Sequence, residues 1–406
     1  MKATLSAGVV GGSIGGLTAA VLLHELGHDV HVFERSAAAL EGRGAGIVVL
    51  PMTERYFVER QGELGGIDKE IGKEVALTLT NWSYVNREGE LIDEAQTNNR
   101  FTAWNTLYRA LLAELPEDRY HLGHQVSDVE EAAGDDDGMV ISFADGGSFS
   151  CDLVIGADGM GSTVRGLVSP DTETNYAGYV AWRGTVHESD LPPATAALLE
   201  DAMVYQVLEH SHILAYAIPG PDDSVVPGRR SVNFVWYRNA SPDEFDELMI
   251  DRNGQYRPTT MPPGLLQGHF VRELHTEADR VLAPQLRDLV QLCDDPFIQA
   301  IFDVAAERFV HGHIVLIGDA AAVLRPHVAA GTAKAAADAW ALHDQLSKLD
   351  QPDLLDSVLA EWEQSQLALA TTSAERSRRM GESAQVHSTM VPGDPAWRFG
   401  LFEPGN

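Results

Sequence analysis

Two cysteines in 406 residues, Cys151 and Cys293, allow at most one bridge, and no spacing motif joins them. So few thiols suit a reducing compartment, and both read as small buried hydrophobes. Lysine is nearly as scarce: Lys2, Lys69, Lys73, Lys334 and Lys348 are all there are, so the basic residues are mostly arginine. Acidic residues outnumber them to a net charge of −31, which argues against nucleic acid and an anionic membrane surface as partners. A surface this acidic is read either as salt adaptation or as a coding bias. No apolar run reaches the length of a membrane span, and the N-terminus lacks the basic, apolar and small-residue order of a secretion signal. A cytoplasmic chain is expected, with no membrane attachment, no metal site and no internal repeat.

What the chain does have is an ordinary globular balance, 44% apolar and 22% charged. Its length suits two or three domains, or one large core with an inserted subdomain. Residues 4–35, TLSAGVVGGSIGGLTAAVLLHELGHDVHVFER, carry the most specific local pattern. A short apolar strand through Val9 and Val10 breaks at glycines and turns helical, with Leu17, Ala20, Val21 and His24 near the helical period. Gly27 closes that helix, and Val30, Val32 and Phe33 make a second strand. Glu34 follows about 20 residues after the glycines, where a ribose hydroxyl would be met. The G-x-G-x-x-G spacing has Gly11 and Gly16 but Ser13 in the middle, the next smallest residue that still lets a phosphate approach backbone.

Further along, residues 75–97 alternate as a hairpin around Asn86 to Gly89. Residues 105–115 read as a short helix with Asn105 as its cap. Residues 120–130 and 139–143 read as strands flanking an acidic tip at 134–138. From 176 to about 270, short aromatic strands separated by turns predict a mostly antiparallel inserted sheet. Residues 282–302 are expected as helix, 314–317 as a buried strand, and 332–347 and 354–380 as helices. The Pro- and Gly-rich tail carries Trp397, Phe399 and Phe402, which are expected to dock.

Three glycine-bearing loops each follow an apolar strand: the turn at Gly11–Gly16 with Glu34, GADGMGSTVR at 156–165, and LIGDAAAVLRPHVAAGTAKAAADA at 316–339. All three can meet at the carboxyl ends of one sheet. An Asp-Gly pair on its own marks a turn. Together and in this order, the three loops make the chain resemble the flavoprotein aromatic hydroxylases of the para-hydroxybenzoate hydroxylase fold.

That resemblance implies an α/β chain: a Rossmann-like FAD-binding domain, an inserted mostly antiparallel β-sheet substrate domain, and C-terminal helices. It divides the chain into 1–74, 101–183 and 280–345 for FAD, 75–100 and 184–279 for substrate, and 346–406 for C-terminal helices and docking tail. The FAD contacts it carries over are Gly11, Ser13, Ile14, Gly16, Glu34, Arg35, Arg43, Ile47, Arg109, Val126, Asp158, Gly318, Asp319, Ala330, Gly331 and Thr332. Pro326 matches the family proline beside the flavin, and His327 follows it; these two are the catalytic candidates. NADH or NADPH is implied as a transient co-substrate, O2 as the oxidant, and a homodimer as the assembly.

The stretches VVGGSIGGLTAA, GAGIVV, NYAGYVAWRG, NFVWYRN and VHGHIVLIGDAA point within the family to hydroxylases of hydroxylated pyridines. The reaction implied is 2,6-dihydroxypyridine to 2,3,6-trihydroxypyridine through a C4a-hydroperoxyflavin. Such chemistry asks for a dry pocket and a polar group that favours the anionic ring. Tyr205, His210, His212, Tyr216 and Trp236 of the inserted sheet are the substrate candidates beside His327, each equally readable as core. Arg183 is read as an interdomain salt bridge rather than a pocket cation. A reductase, dehydrogenase or epoxidase of the same fold acting on a non-pyridine substrate stays open as the alternative.

Overall fold

The computed structural model describes residues 3–40, 45–63, 76–132 and 138–402. Its first layer is a six-stranded sheet in the order Val310–His311, Ile314–Leu316, Leu153–Gly156, Ser6–Val10, Asp29–Glu34, Tyr120–Leu122. All neighbours run parallel except the outermost pair, Val310–His311 with Ile314–Leu316. Val9, Val30, Val32, Leu153, Ile155 and Val315 have no exposed surface, because both faces of this sheet are covered. Helices Ile14–Glu25 and Gly331–Leu346 cover one face. A three-stranded antiparallel sheet, Val126–Glu131, Met139–Phe143 and Ser148–Cys151, packs on the other. Strand Ser6–Val10 has its sequence successor on one side and the distant Leu153–Gly156 on the other, so the cleft opens at its carboxyl end.

The second layer is a ten-stranded sheet, antiparallel but for the pairing of Ala202–Leu208 with Leu77–Val85. Its central strands Thr174–His187, Ser231–Asn239, Ser211–Ile218 and Ala202–Leu208 are buried on both faces. One face carries Trp182, Val204, Ile213, Phe234 and Trp236 and packs under helices that include Gly268–Val281 and Pro284–Leu292. The other carries Tyr205, Leu214, Tyr216, Val235 and Tyr237 and looks toward the first layer. The hairpin expected at 75–97 forms one end of this sheet, as Leu77–Val85 and Leu91–Ala103.

Four local expectations change. Helix Pro284–Leu292 stops short of 302: Pro296 disfavours continued helix, and Phe297–Ala305 joins the large sheet against Thr174–His187. The division expected at 183 therefore falls inside one continuous strand, and Gly46–Val49 also belongs to the large sheet. The short helix is Trp104–Leu112 with Ala103 at the cap, which places Asn105 inside the first turn. In the tail, Trp397 and Phe399 dock, with Phe399 4.9 Å from Trp82 between ring centres, whereas Phe402 is 53% exposed. The acidic tip lies mostly outside the described residues; the strands expected on either side of it are present.

Candidate active site

A cavity of about 650 Å3 runs from the carboxyl ends of the parallel strands to the inner face of the large sheet. At its first end the Gly11 N–H donates to the Phe33 carbonyl at 2.9 Å. Glu34 is buried and accepts from the Gly12 N–H at 3.0 Å and the Ser36 N–H at 2.9 Å, so it braces the turn as well as lining the cavity. Gly11 sits at φ 106°, and a Cβ there would stand 2.5 Å from the Ala157 carbonyl oxygen. Ser13 occupies the cap of helix Ile14–Glu25 without a side-chain bond, leaving its first N–H groups to the cavity. Gly16 does not line the cavity: a Cβ on it would fall 1.9 Å from the Gly11 carbonyl oxygen, so its role is close packing of turn on helix.

The second loop is braced by its own aspartate. Asp158 accepts from Ser162 Oγ at 2.5 Å, the Thr163 N–H at 2.6 Å and the Val164 N–H at 3.2 Å, and so caps helix Thr163–Val168. Arg165, from that helix, donates to the Ala320 and Asp319 carbonyls at 2.9 and 3.3 Å and ties the second loop to the third. On the third, Gly318 is left-handed at φ 58° and Asp319 faces the cavity. Asp319 is open to the cavity, yet desolvation by the surrounding protein raises its pKa, opposed by Lys334, raised further by Asp338, and opposed again by Arg165. Helix Gly331–Leu346 starts with no side-chain cap, and Ala330, Gly331 and Thr332 line the cavity at its N-terminus.

The far end is an aromatic chamber. Tyr205, His212, Tyr216 and Tyr237 from the sheet meet Pro326, His327, Trp397 and Phe399. His327 Nε2 stands 2.8 Å from the Tyr179 hydroxyl, and the His327 ring lies 4.7 Å from Tyr237 and 5.3 Å from His212. Burial holds both imidazoles neutral: His212 is lowered to about 3, and His327 falls well below 6.5 with His212 and Arg325 adding to the effect. Burial raises the Tyr216 phenol to about 12 and raises Tyr205 and Tyr237 as well. Arg183 lines the same cavity, donating to the Gly46 carbonyl at 2.9 Å and to Gln299 at 3.1 Å. The interdomain salt bridge expected of it is not formed among the described residues, where its bonds go to a carbonyl and an amide.

Two substrate candidates lie away from the cavity, one by strand parity and one by its place in a turn. Trp236 alternates with Tyr237 and points to the opposite face, where its indole donates to Ser211 Oγ at 3.0 Å. His210 is exposed in the turn before Ser211–Ile218, at φ 52°, bonded to Ser388 and Gln385. Tyr237 lines the cavity in their place, and Tyr179 stands behind it, bonded to His327. Tyr237 was legible from strand alternation; Tyr179 carries no sequence signal that sets it apart. Ile14, Arg35, Ile47 and Val126, expected as FAD contacts, line the cavity. Arg109 does not: it pairs with Asp223 at 2.6 Å, where Thr106 also donates. Arg43 lies outside the described residues.

This donor set fits FAD. One uncapped helix N-terminus suits the pyrophosphate and a second suits the electron-rich edge of the flavin, with an aromatic chamber beyond. Residues 9–40 match the family model of NAD(P)-binding Rossmann-like domains, and residues 176–303 that of FAD binding domain-like proteins. The 2,6-dihydroxypyridine 3-monooxygenase of Paenarthrobacter nicotinovorans is 36% identical over 395 residues, covering 97% of this chain and 95% of that one. The 3-amino-4-hydroxybenzoate 2-monooxygenase of Streptomyces cremeus is 28% identical, covering 97% and 94%. The solved 2,6-dihydroxypyridine-3-hydroxylase of Arthrobacter nicotinovorans superposes with a TM-score of 0.89 at 33% identity, over 100% of this chain and 99% of that one.

Proposed function

This chain belongs to the FAD-dependent aromatic-ring monooxygenases, and we propose that within them it hydroxylates 2,6-dihydroxypyridine to 2,3,6-trihydroxypyridine. The observation that carries the reading is the cavity itself, which joins the three cofactor loops to an aromatic chamber holding two neutral histidines. The substrate identity rests on the likeness to the dihydroxypyridine enzyme along nearly the whole chain.

FAD, when bound, accepts a hydride from NAD(P)H and uses O2 to place one oxygen atom on the ring, the other leaving as water. The protein's part is to bind, orient and keep water out. Tyr205, Tyr216 and Tyr237 wall a flat ring on the sheet side, and Trp397 with Phe399 closes the chamber from the tail. A neutral His327, held at Nε2 by Tyr179, gives the chamber an uncharged polar wall beside Pro326. Arg183 supplies a positive charge on the same wall. The electron push comes from the substrate's own oxygens, so no further acid is required of the protein.

NADH is the proposed reductant, and a cytoplasmic homodimer the proposed working form, both on the family resemblance. The test is NADH and O2 consumption by the purified yellow protein with and without 2,6-dihydroxypyridine. Stimulation with formation of the trihydroxypyridine supports the reading. Oxidation of NADH without O2 uptake would favour a reductase of the same fold, and flavin bands without stimulation would return the substrate to other hydroxylated rings.

A further inference from the structure

Lys334 and Asp338 lie one turn apart on helix Gly331–Leu346, and neither side chain has any exposed surface. Lys334 Nζ stands 2.8 Å from Asp338 Oδ2 and donates to the Gly318 carbonyl at 2.9 Å. The Gly318 N–H donates to the same Asp338 oxygen at 2.7 Å. The pair thus grips both polar groups of one residue, and that residue is the left-handed one that sets the direction of Asp319. Ala335, beside Lys334, packs 3.1 Å from where a Cβ on Gly15 or on Gly318 would stand, so one helix face draws two cofactor loops together. From behind, the Trp362 indole donates to the Asp338 carbonyl at 3.0 Å.

A buried ion pair is a weak source of stability, because desolvation offsets the attraction and apolar replacements often fold as well. What an apolar pair cannot do is donate to a carbonyl and accept from an N–H on the same glycine. The charged groups acting on Asp319 are Lys334 and Asp338 from the helix and Arg165 from Thr163–Val168, two attracting and one repelling.

We propose that Lys334 and Asp338 form a positioning pair that holds the Gly318–Asp319 turn in the shape that receives FAD, their opposite charges keeping the field on Asp319 balanced. The proposal rests on FAD as the cofactor. It is tested on the full-length chain stripped of flavin, titrated with FAD by flavin fluorescence, for wild type, K334M, D338N and K334M/D338N. Each single variant is expected to weaken FAD roughly tenfold or more, the scale seen when supports behind a binding group are removed. K334M leaves two neighbouring carboxyls, so its FAD affinity should recover as the pH falls from about 8 to about 6, when one of them takes up a proton. D338N leaves a cation instead and should show no such recovery, and the double variant should bind FAD more tightly than either single one. Unfolding midpoints of the flavin-free variants separate loss of fold from loss of cofactor. Wild-type FAD affinity in both single variants, or losses that merely follow the flavin-free stability with no pH signature, would overturn the proposal. A wild-type chain that takes up no FAD would overturn the functional reading beneath it.

Discussion

The Tyr179 hydroxyl stands 2.8 Å from His327 Nε2, a buried bond that joins the large sheet to the loop carrying Pro326. His327 Nδ1 is also buried and has no partner among the described residues, so this bond and the packing of Tyr237 and His212 orient the ring. Y179F should cost about 1–3 kcal/mol of stability, read from urea unfolding. It should also lower product formation by roughly ten- to a hundredfold, because the imidazole loses its orientation. Wild-type turnover in Y179F would remove His327 from the chemistry.

Buried neutral histidines make the fold acid-sensitive. The unfolded chain takes up protons near 6.5, whereas folded His212 does so only at about 3 and His327 well below 6.5. Their contribution is whole above about pH 6.5 and is lost as the pH falls toward 3, at up to about 1.4 kcal/mol per pH unit for each group. Urea midpoints measured across that range should fall less steeply in H212Q, which cannot charge. An identical slope in the variant would contradict the assignment.

Strand parity predicts opposite outcomes at adjacent positions. Y237F changes the chamber wall and should alter KM or kcat for the ring substrate. W236F acts on the far face and should lower the thermal midpoint while leaving kcat/KM near wild type. The reverse pattern would mean that the other face of the sheet binds substrate.

Gly16→Ala should be severe although Gly16 does not line the cavity. Its Cβ would meet the Gly11 carbonyl oxygen, which is backbone and cannot step aside. A cost of about 1–3 kcal/mol and loss of yellow colour on dialysis are expected. Retention of FAD at wild-type stability would show that the turn can shift freely.

Arg183 tests the pocket cation. R183Q should raise KM for the anionic ring with little change in kcat, since a charge on the wall acts on binding. An unchanged KM at a pH where the ring is ionised would assign Arg183 to structure alone.

Much of this protein was readable as a string because its cofactor loops are local. Gly11, Gly16, Gly27 and Glu34 each answer a demand made within a few residues or one βαβ unit, and the sequence spells those demands directly. The same holds for Gly318, whose left-handed backbone is set within its own turn. Family likeness extended this to the order of the loops and to FAD.

The substrate chamber was different. Whether Trp236 or Tyr237 faces the ring depends on the register of strand Ser231–Asn239 against its neighbours, and a shift of one residue would exchange them. Arg109 went to Asp223, 114 residues away, and Tyr179 met His327 across 148 residues. Residues 297–305 became strand because Thr174–His187 offered an edge, which no local propensity announces. Short-range backbone chemistry was determined by the sequence alone. Long-range pairing, and with it which side chains share the cavity, was decided only by the tertiary structure, because it is a competition among partners far apart in the chain.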